Sequence, residues 1–230
     1  MVTLLAMTRV QESDFISIYP VDPMPPEIAA LRQANGPVWL FAYGSLMWNP
    51  GFAAAEHRPA RLYGYHRRFC LYSRDYRGTP ERPGLVLGLD RGGSCDGIAY
   101  RLPPGRMAEA LDRVWAREMT GMVYRMRRVT VRTAASTLAA YACVVRRDSP
   151  DYAGRLRLED TAQLLATAEG SRGSGRDYLA NTLHHLERLG IEDRELRRVA
   201  ARIVRLDAVA AGFGVGDIAS VAQGFTARGR

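Results

Sequence analysis

Residues 38–48 read VWLFAYGSLMW, and this stretch decides the fold of the chain. Residues 38–43 are apolar or aromatic and end at Gly44, a pattern typical of a short buried strand that runs into a tight turn. Such a turn leaves backbone amides free to hold a carboxylate or a developing oxyanion. Tyr43-Gly44-Ser45-Leu46 is therefore a candidate binding loop, and an ordinary strand-ending turn is the alternative interpretation.

The segments on the C-terminal side of this strand predict an α+β fold. Apolar and β-branched runs predict strands at Arg61–Ser73, Leu85–Leu89, Asp96–Leu102, Val123–Thr133 and Thr137–Val145. A helix opened by Pro103-Pro104 interrupts these strands, and helices are predicted at Leu158–Ala168, Asp177–Leu189 and Asp193–Leu206. This order lacks the strand–helix alternation of a Rossmann domain. It favours an antiparallel or mixed sheet that is able to close into a barrel.

Three regions are predicted along the chain. Residues 1–37 form a Pro-rich extension, because Tyr19–Glu27 holds four prolines in nine residues and is expected to lack regular structure. Residues 38–208 form the catalytic domain. Residues 209–230 form a Gly- and Ala-rich tail that we expect to be loose.

The charge of the chain comes from arginine alone. The net charge is +8, and none of the basic residues is a lysine, which excludes Schiff-base chemistry and a Walker-type phosphate loop. The arginines are spread over many segments instead of forming one stripe with interleaved aromatic residues. We therefore expect no nucleic-acid partner.

Cysteine and histidine usage predicts a protein with reduced thiols and without a metal site. The three cysteines form no CxxC pair, which fits a reducing compartment, and we expect a cytoplasmic protein. The four histidines have no HxxxH spacing, so we predict no metal and no cofactor. No apolar run approaches the roughly 20 residues of a membrane span, so no membrane partner is expected. The sequence leaves the oligomeric state open.

Glu118 is the candidate catalytic residue. It lies on the face of the predicted amphipathic helix that carries Met107 and Leu111, while Arg113 and Arg117 are expected on other faces. Burial and the negative end of the helix dipole would both raise the pKa of this carboxyl toward the range of a general base. The alternative is that the helix stops before Glu118 and leaves the side chain exposed.

Two loops provide further candidates. Asp148–Gly154 places Tyr152 between a strand and a helix, where it is able to contact a substrate or to pack beneath a turn. Residues 169–177 are rich in glycine and precede a helix. They are able to bind an anion at the helix start or to serve as a flexible connector.

Five blocks, in this order, resemble the ChaC-type glutathione-specific γ-glutamylcyclotransferases. They are VWLFAYGSLMW at 38–48, YHRRFCLYSRDYRGTPERPGLVLGL at 65–89, GIAYRLP at 97–103, WAREMTGMVYR at 115–125 and SPDYAGRLRLEDTAQLLATAEGSRGSGRDYLANTLHHLERLGI at 149–191. The resemblance implies a small mixed β-barrel flanked by helices, which agrees with the α+β prediction. It also implies a reaction without cofactor in which reduced glutathione is cleaved to 5-oxoproline and cysteinylglycine.

The resemblance also assigns site residues. The glutamate of the family's Arg-Glu dipeptide corresponds to Glu118 as catalytic base, and Tyr152 corresponds to a substrate contact. The family's pocket loop corresponds to Leu40, Phe41, Ala42, Tyr43, Gly44 and Ser45. Ala42 stands where some members have glycine, and its methyl group is expected to narrow the pocket. Arg74 or Arg77 is expected to attract the anionic tripeptide.

Two other functions fit the same residues. The chain is able to act on other γ-glutamyl peptides or γ-glutamylamines, because the choice of substrate depends on details of the pocket. It is also able to serve as a non-catalytic binding module, since a fold does not fix a function. The presence of both Glu118 and the YGSL segment argues against the second option.

Overall fold

The computed structural model describes residues 19–211, and its centre is a closed barrel. The barrel strands are β1 (Trp39–Ala42), β2 (Glu56–Ser73), β3 (Gly84–Arg101), β4 (Tyr124–Arg132) and β5 (Thr137–Val145), in the order β1-β3-β2-β4-β5. Strand β1 pairs antiparallel with β3 and parallel with β5, so the barrel is mixed. The predicted α+β fold with a small mixed barrel is confirmed.

Strands β2 and β3 form one long hairpin. The sequence predicted separate strands at Leu85–Leu89 and Asp96–Leu102, whereas β3 is continuous from Gly84 to Arg101. Arg91 and Ser94 pair with Tyr65 and Tyr63, while Gly92 and Gly93, whose φ angles are positive, form an irregularity opposite Gly64 that does not end the strand.

The helices cover the barrel. They are α1 (Pro26–Ala29), α2 (Met107–Glu118), α3 (Leu158–Thr167), α4 (Gly175–Arg188) and α5 (Arg194–Ala210). Two short antiparallel strands, β6 (Glu169–Gly170) and β7 (Gly173–Ser174), join α3 to α4. The predicted helices are confirmed, although α5 continues past Leu206 to Ala210 and α4 begins at Gly175. The expectation that Pro103-Pro104 opens a helix was wrong in position, because α2 begins at Met107 with Arg106 as its N-cap. Most of the predicted tail lies outside the described residues.

The described part of the predicted extension, residues 19–37, packs on the barrel domain. Helix α1 starts within the Pro-rich stretch, and a 3-10 turn at Ala30–Gln33 follows it. Proline is compatible with the first turn of a helix, and Ile28 is 3% exposed in the core. The prediction that Tyr19–Glu27 lacks regular structure was therefore wrong at its C-terminal end. The division of the chain at residue 38 stays a prediction.

Between Tyr19 and Ala211, no helix is both long and apolar enough to cross a bilayer.

Candidate active site

Glu118 is the last residue of α2, and its side chain opens onto a cleft at the side of the barrel. The helix does not stop early, because its apolar face is buried along its length. The buried residues of that face are Ala110, Leu111, Val114 and Trp115. The Glu118 side chain is 18% exposed, so its carboxyl lies in a largely desolvated environment that still has an opening to the cleft.

Arg117 connects Glu118 to the loop that follows β1. Its Nε lies 2.9 Å from Glu118 Oε1, and its guanidinium donates to Ser45 Oγ at 2.6 Å and to the carbonyl oxygen of Asn49. The sequence placed Arg117 on a different helix face from Glu118, and the two side chains nevertheless form an ion pair. Helical geometry ends at Glu118, and a long arginine side chain is able to turn back along the end of a helix.

Burial raises the pKa of the Glu118 carboxyl, while Arg117 and Arg172 act in the opposite direction. The net pKa lies above the ordinary value for glutamate because desolvation is the largest of these effects. A carboxylate held in this way accepts a proton more readily than a solvated one. Glu118 therefore has the properties of a general base.

The cleft has a volume of about 800 Å³ and a lining of aromatic rings and arginines. Tyr124 and Tyr178 lie next to Glu118, and burial raises the pKa of both phenols, that of Tyr178 to about 12. Both phenols therefore remain neutral near pH 7. Tyr124 donates its hydroxyl hydrogen to the Leu87 carbonyl at 2.6 Å. The cleft thus combines cations for carboxylates with apolar walls for a flexible chain.

The YGSL segment reaches the cleft through Ser45. The amides of Gly44 and Ser45 have no hydrogen-bond acceptor within residues 19–211, and a Cβ at Gly44 would meet no heavy atom within 4 Å. Gly44 is not among the residues that line the cleft, so binding of an anion by these two amides stays a prediction from sequence. Behind the loop, the buried Arg67 donates to the Tyr43 carbonyl and pairs with Asp193, with Nε 3.1 Å from Oδ2.

Residues 40–43 lie in the core and do not line the cleft. Their exposures are 3% for Leu40, 1% for Phe41, 0% for Ala42 and 8% for Tyr43. Ala42 is fully buried and is not among the residues that line the cleft, so the expected narrowing by its methyl group is not seen there. Direct contact of residues 40–43 with a substrate remains a prediction from sequence.

Tyr152 is directed to a different site. Its hydroxyl donates to Asp90 Oδ2 at 2.8 Å, while Arg147 Nε donates to Asp90 Oδ1 at 2.7 Å. Tyr152 is not among the residues that line the Glu118 cleft. The geometry therefore matches the packed-tyrosine interpretation of this loop, and the role of Tyr152 in substrate binding stays a prediction.

The glycine-rich segment folds into the β6–β7 hairpin and brings Ser171 and Arg172 to the cleft. Gly170 is required there, because a Cβ would lie 2.1 Å from the Asp75 carbonyl oxygen. At the start of α4, the Asp177 amide donates to Ser174 Oγ at 3.1 Å, so this helix terminus is already capped.

The two arginines proposed from sequence to attract substrate both line the cleft, and both have protein partners. Arg74 donates to Asp151 Oδ1 at 2.8 Å. Arg77 donates to the carbonyl oxygens of Arg172 and Ser174 and stacks on Tyr178. Arg77 therefore supports the hairpin that carries Arg172.

Sequence reasoning missed Arg117, Arg172, Tyr178 and Tyr19 as cleft residues. Arg117 had a usable signal, because an Arg-Glu dipeptide at the end of an amphipathic helix places a cation beside the carboxylate. Arg172 lies within the glycine-rich segment 169–177 that was a candidate anion site, and Tyr178 directly follows it, but neither side chain was singled out. Over residues 19–211, no group of three or more His, Cys, Asp or Glu side chains is arranged to hold a metal ion.

Comparison with known proteins defines the class of this fold. A crystal structure of a yeast γ-glutamylcyclotransferase specific to glutathione superposes with a TM-score of 0.67 at 22% identity, covering 74% of this chain and 97% of that one. The barrel with its flanking helices is therefore a γ-glutamylcyclotransferase-like fold.

Sequence comparison identifies the family. The family model for ChaC-like proteins matches residues 38–206. The glutathione-specific γ-glutamylcyclotransferase of Escherichia coli K12 is 36% identical over 178 residues, 77% of this chain and 77% of its own length. The Arabidopsis thaliana γ-glutamylcyclotransferase 2-3 is 33% identical, over 72% of this chain and 88% of its length. The chain belongs to the ChaC-like family.

Proposed function

We propose that this protein is a glutathione-specific γ-glutamylcyclotransferase, which converts reduced glutathione to 5-oxoproline and cysteinylglycine. The observation that carries the proposal is the position of Glu118, a buried carboxylate with a raised pKa at the opening of a cationic, aromatic cleft. Relatives named for this activity, at up to 36% identity, support the choice of glutathione as substrate.

The proposed reaction needs one base and no covalent enzyme intermediate. Glu118 takes a proton from the α-ammonium group of the γ-glutamyl residue. The freed amine attacks the γ-carbonyl carbon and forms a lactam ring, and the bond from that carbon to the cysteinyl nitrogen breaks. Glu118 returns this proton to the leaving cysteinyl nitrogen, and the second proton, lost by the ring nitrogen as the lactam N–H forms, passes through Glu118 to the same nitrogen. The α-ammonium group thus loses two protons and cysteinylglycine leaves with an ammonium group, so atoms and charge balance.

The attack is intramolecular, so holding the γ-glutamyl chain in a curled conformation supplies much of the rate. The amides of Gly44 and Ser45 are suited to the substrate α-carboxylate or to the developing oxyanion. Residues 40–43 are proposed to act by fixing this loop, because they are buried in β1 and directly after it. Arg172 adds positive charge near Glu118, which favours an anionic tripeptide.

Product analysis tests the proposal. Purified protein is incubated with reduced glutathione and, separately, with γ-Glu-Ala, and 5-oxoproline is measured by mass spectrometry. We expect 5-oxoproline and cysteinylglycine from glutathione and little product from γ-Glu-Ala. Product mainly from γ-Glu-Ala would retain the chemistry but contradict the specificity, and no product from either substrate in a folded sample would contradict the enzymatic function.

We also propose a cytoplasmic location. Cys70, Cys95 and Cys143 are the only cysteines of the chain, and all three are buried free thiols. Unpaired thiols are typical of a reducing compartment, where glutathione is abundant in its reduced form. Fractionation of cells that express the protein, with an antibody against the full chain, tests this location.

A further inference from the structure

Residues 19–24, the N-terminal strap, run beside the turn that follows Glu118. The Asp22 amide donates to the Met119 carbonyl at 2.7 Å, and the Asp22 carbonyl accepts from Trp115 Nε1 at 2.7 Å. Val21 forms an isolated antiparallel bridge with Thr120. The strap therefore binds the last turn of α2 and the residues after it through its own backbone.

The side chain of Asp22 holds the most constrained part of this turn. Asp22 Oδ1 accepts from the Met122 amide at 3.1 Å. Gly121 and Met122 have φ angles of 68° and 58°, and Met122 is the only non-glycine residue with positive φ between positions 19 and 211. A side chain with a Cβ disfavours this conformation, so it persists only where surrounding contacts enforce it.

Tyr19 extends the strap into the cleft itself. It lines the same cavity as Thr120, Gly121 and Glu118, and a Cβ at Gly121 would lie 3.4 Å from Tyr19 Cγ. Burial and the nearby carboxylates raise the pKa of the Tyr19 phenol, so the side chain is uncharged where it lines the cleft. The family match covers residues 38–206, and the strap lies outside it.

We propose that the N-terminal strap completes the active site, with Asp22 as a positioning residue for Glu118 and Tyr19 as a substrate-contacting wall of the cleft. This inference rests on the proposed cyclotransferase function. Two cations, Arg117 and Arg172, act on the Glu118 carboxyl. The uncharged titratable groups that interact with it are Tyr43, Tyr124, Cys143 and Tyr178.

The first test compares Asp22→Ala with Asp22→Asn in the full chain. In Asp22→Ala we expect kcat to fall about tenfold, less than the roughly 100-fold that a displacement of 1 Å can cost. The acidic limb of the pH profile should move to lower pH, because a looser turn admits water and weakens the desolvation that raises the Glu118 pKa. Asp22→Asn keeps an oxygen acceptor for Met122 and should restore most of kcat and the position of the limb.

Arg32→Ala is the matched control. Arg32 follows the strap in the chain, in the 3-10 turn after α1. Its Nη2 lies 2.6 Å from Asp112 Oδ1 of α2, away from the turn that follows Glu118. This exposed ion pair should change kcat and KM by no more than about twofold, because such pairs contribute little. An equal loss of activity in Arg32→Ala and Asp22→Ala would show a general stabilising role and overturn the positioning role.

Tyr19→Ala and Tyr19→Phe test the wall of the cleft. We expect KM for glutathione to rise about fivefold in Tyr19→Ala with kcat nearly unchanged, because lost binding surface affects ground and transition states alike. Tyr19→Phe keeps the ring and should retain the wild-type KM. If Asp22→Ala does not fold, the two Tyr19 variants test the inference on their own. An unchanged KM in Tyr19→Ala overturns it.

Amide hydrogen exchange separates this inference from the proposed function. Exchange at Met122, measured by mass spectrometry on the full chain, should be faster in Asp22→Ala and unchanged in Asp22→Asn and Arg32→Ala. This readout does not require turnover. If the wild-type protein forms no product, only the cyclotransferase function is contradicted. If the Met122 amide exchanges at the same rate in all variants, the positioning role of Asp22 is overturned.

Discussion

Glu118 and Asp90 are both largely buried carboxylates, but their pKa values are shifted in opposite directions. Burial raises the pKa of Glu118, and Arg117 and Arg172 only partly oppose it. Burial would also raise the pKa of Asp90, but hydrogen bonds from Arg147, Tyr152 and the Arg91 amide outweigh burial and hold the pKa below its ordinary value. The number of hydrogen-bond donors around a buried carboxylate therefore decides whether its pKa is lowered, as in a structural ion pair, or raised, as in a general base.

The surroundings explain this difference. Asp90 is 2% exposed, and its two oxygens share three donors, so its charge is satisfied and stabilises the fold. Glu118 has its ion pair with Arg117, and its remaining surface faces a cleft with space for a substrate. In the proposed reaction, this surface is where the substrate ammonium group would meet Glu118.

The largest expected effect is that of Glu118→Gln. The amide keeps the shape and removes the base, so kcat should fall by at least about 100-fold, as is typical for a lost general base. The free energy of unfolding should stay within about 1 kcal/mol of wild type, since the cost of burying a charge disappears with the charge. Steady-state kinetics and urea denaturation measure the two quantities, and near-normal turnover would refute the catalytic role.

Asp90→Asn is the same chemical change at the other carboxylate and should give the opposite result. We expect the free energy of unfolding at neutral pH to fall by about 2 kcal/mol, because charge-assisted hydrogen bonds are lost, while kcat stays within about twofold. The lowered pKa means that this contribution is present above the ordinary aspartate range and is lost as pH falls through the pKa of Asp90. The stability gap between variant and wild type should therefore narrow in acid.

Arg117→Gln sharpens the comparison from the Glu118 side. Arg117 lowers the Glu118 pKa, so its removal should raise that pKa and move the acidic limb of kcat/KM to higher pH. At any given pH on the acidic limb fewer molecules would then carry an ionised base, so kcat/KM measured there should fall below that of wild type. Arg117→Lys keeps a positive charge and should shift the limb less. If the acidic limb of kcat/KM stays at the wild-type pH in Arg117→Gln, the ion pair does not set the pKa of the catalytic base.

Tyr152→Phe has the smallest expected effect. It removes one hydrogen bond to Asp90 and should lower the free energy of unfolding by about 1 kcal/mol. KM for glutathione should stay within about twofold of wild type, because lost binding contacts would raise KM and Tyr152 does not line the cleft. A tenfold rise in KM without loss of stability would instead support the substrate contact predicted from sequence.

Much of the fold was predictable because it depends on local patterns. Strand β5 has the bounds that the sequence indicated, Thr137–Val145, and α2 carries its apolar stripe through to Glu118. The continuity of β3 was not predictable from residues 91–94, because it depends on Arg91 and Ser94 pairing with β2 on either side of the two unpaired glycines. The packing of α1 likewise depends on Ile28 meeting the core.

The sequence by itself determined the α+β order, the family resemblance and the position of Glu118 on a buried helix face, since periodicity encodes which face of an element is apolar. Tertiary structure decided which buried carboxylate received partners. Asp90 is 57 residues from Arg147 and 62 from Tyr152, and Asp22 is 100 residues from Met122. Such contacts between distant residues leave no local pattern, because hydrogen-bond partners are chosen by the folded backbone and not by spacing along the chain.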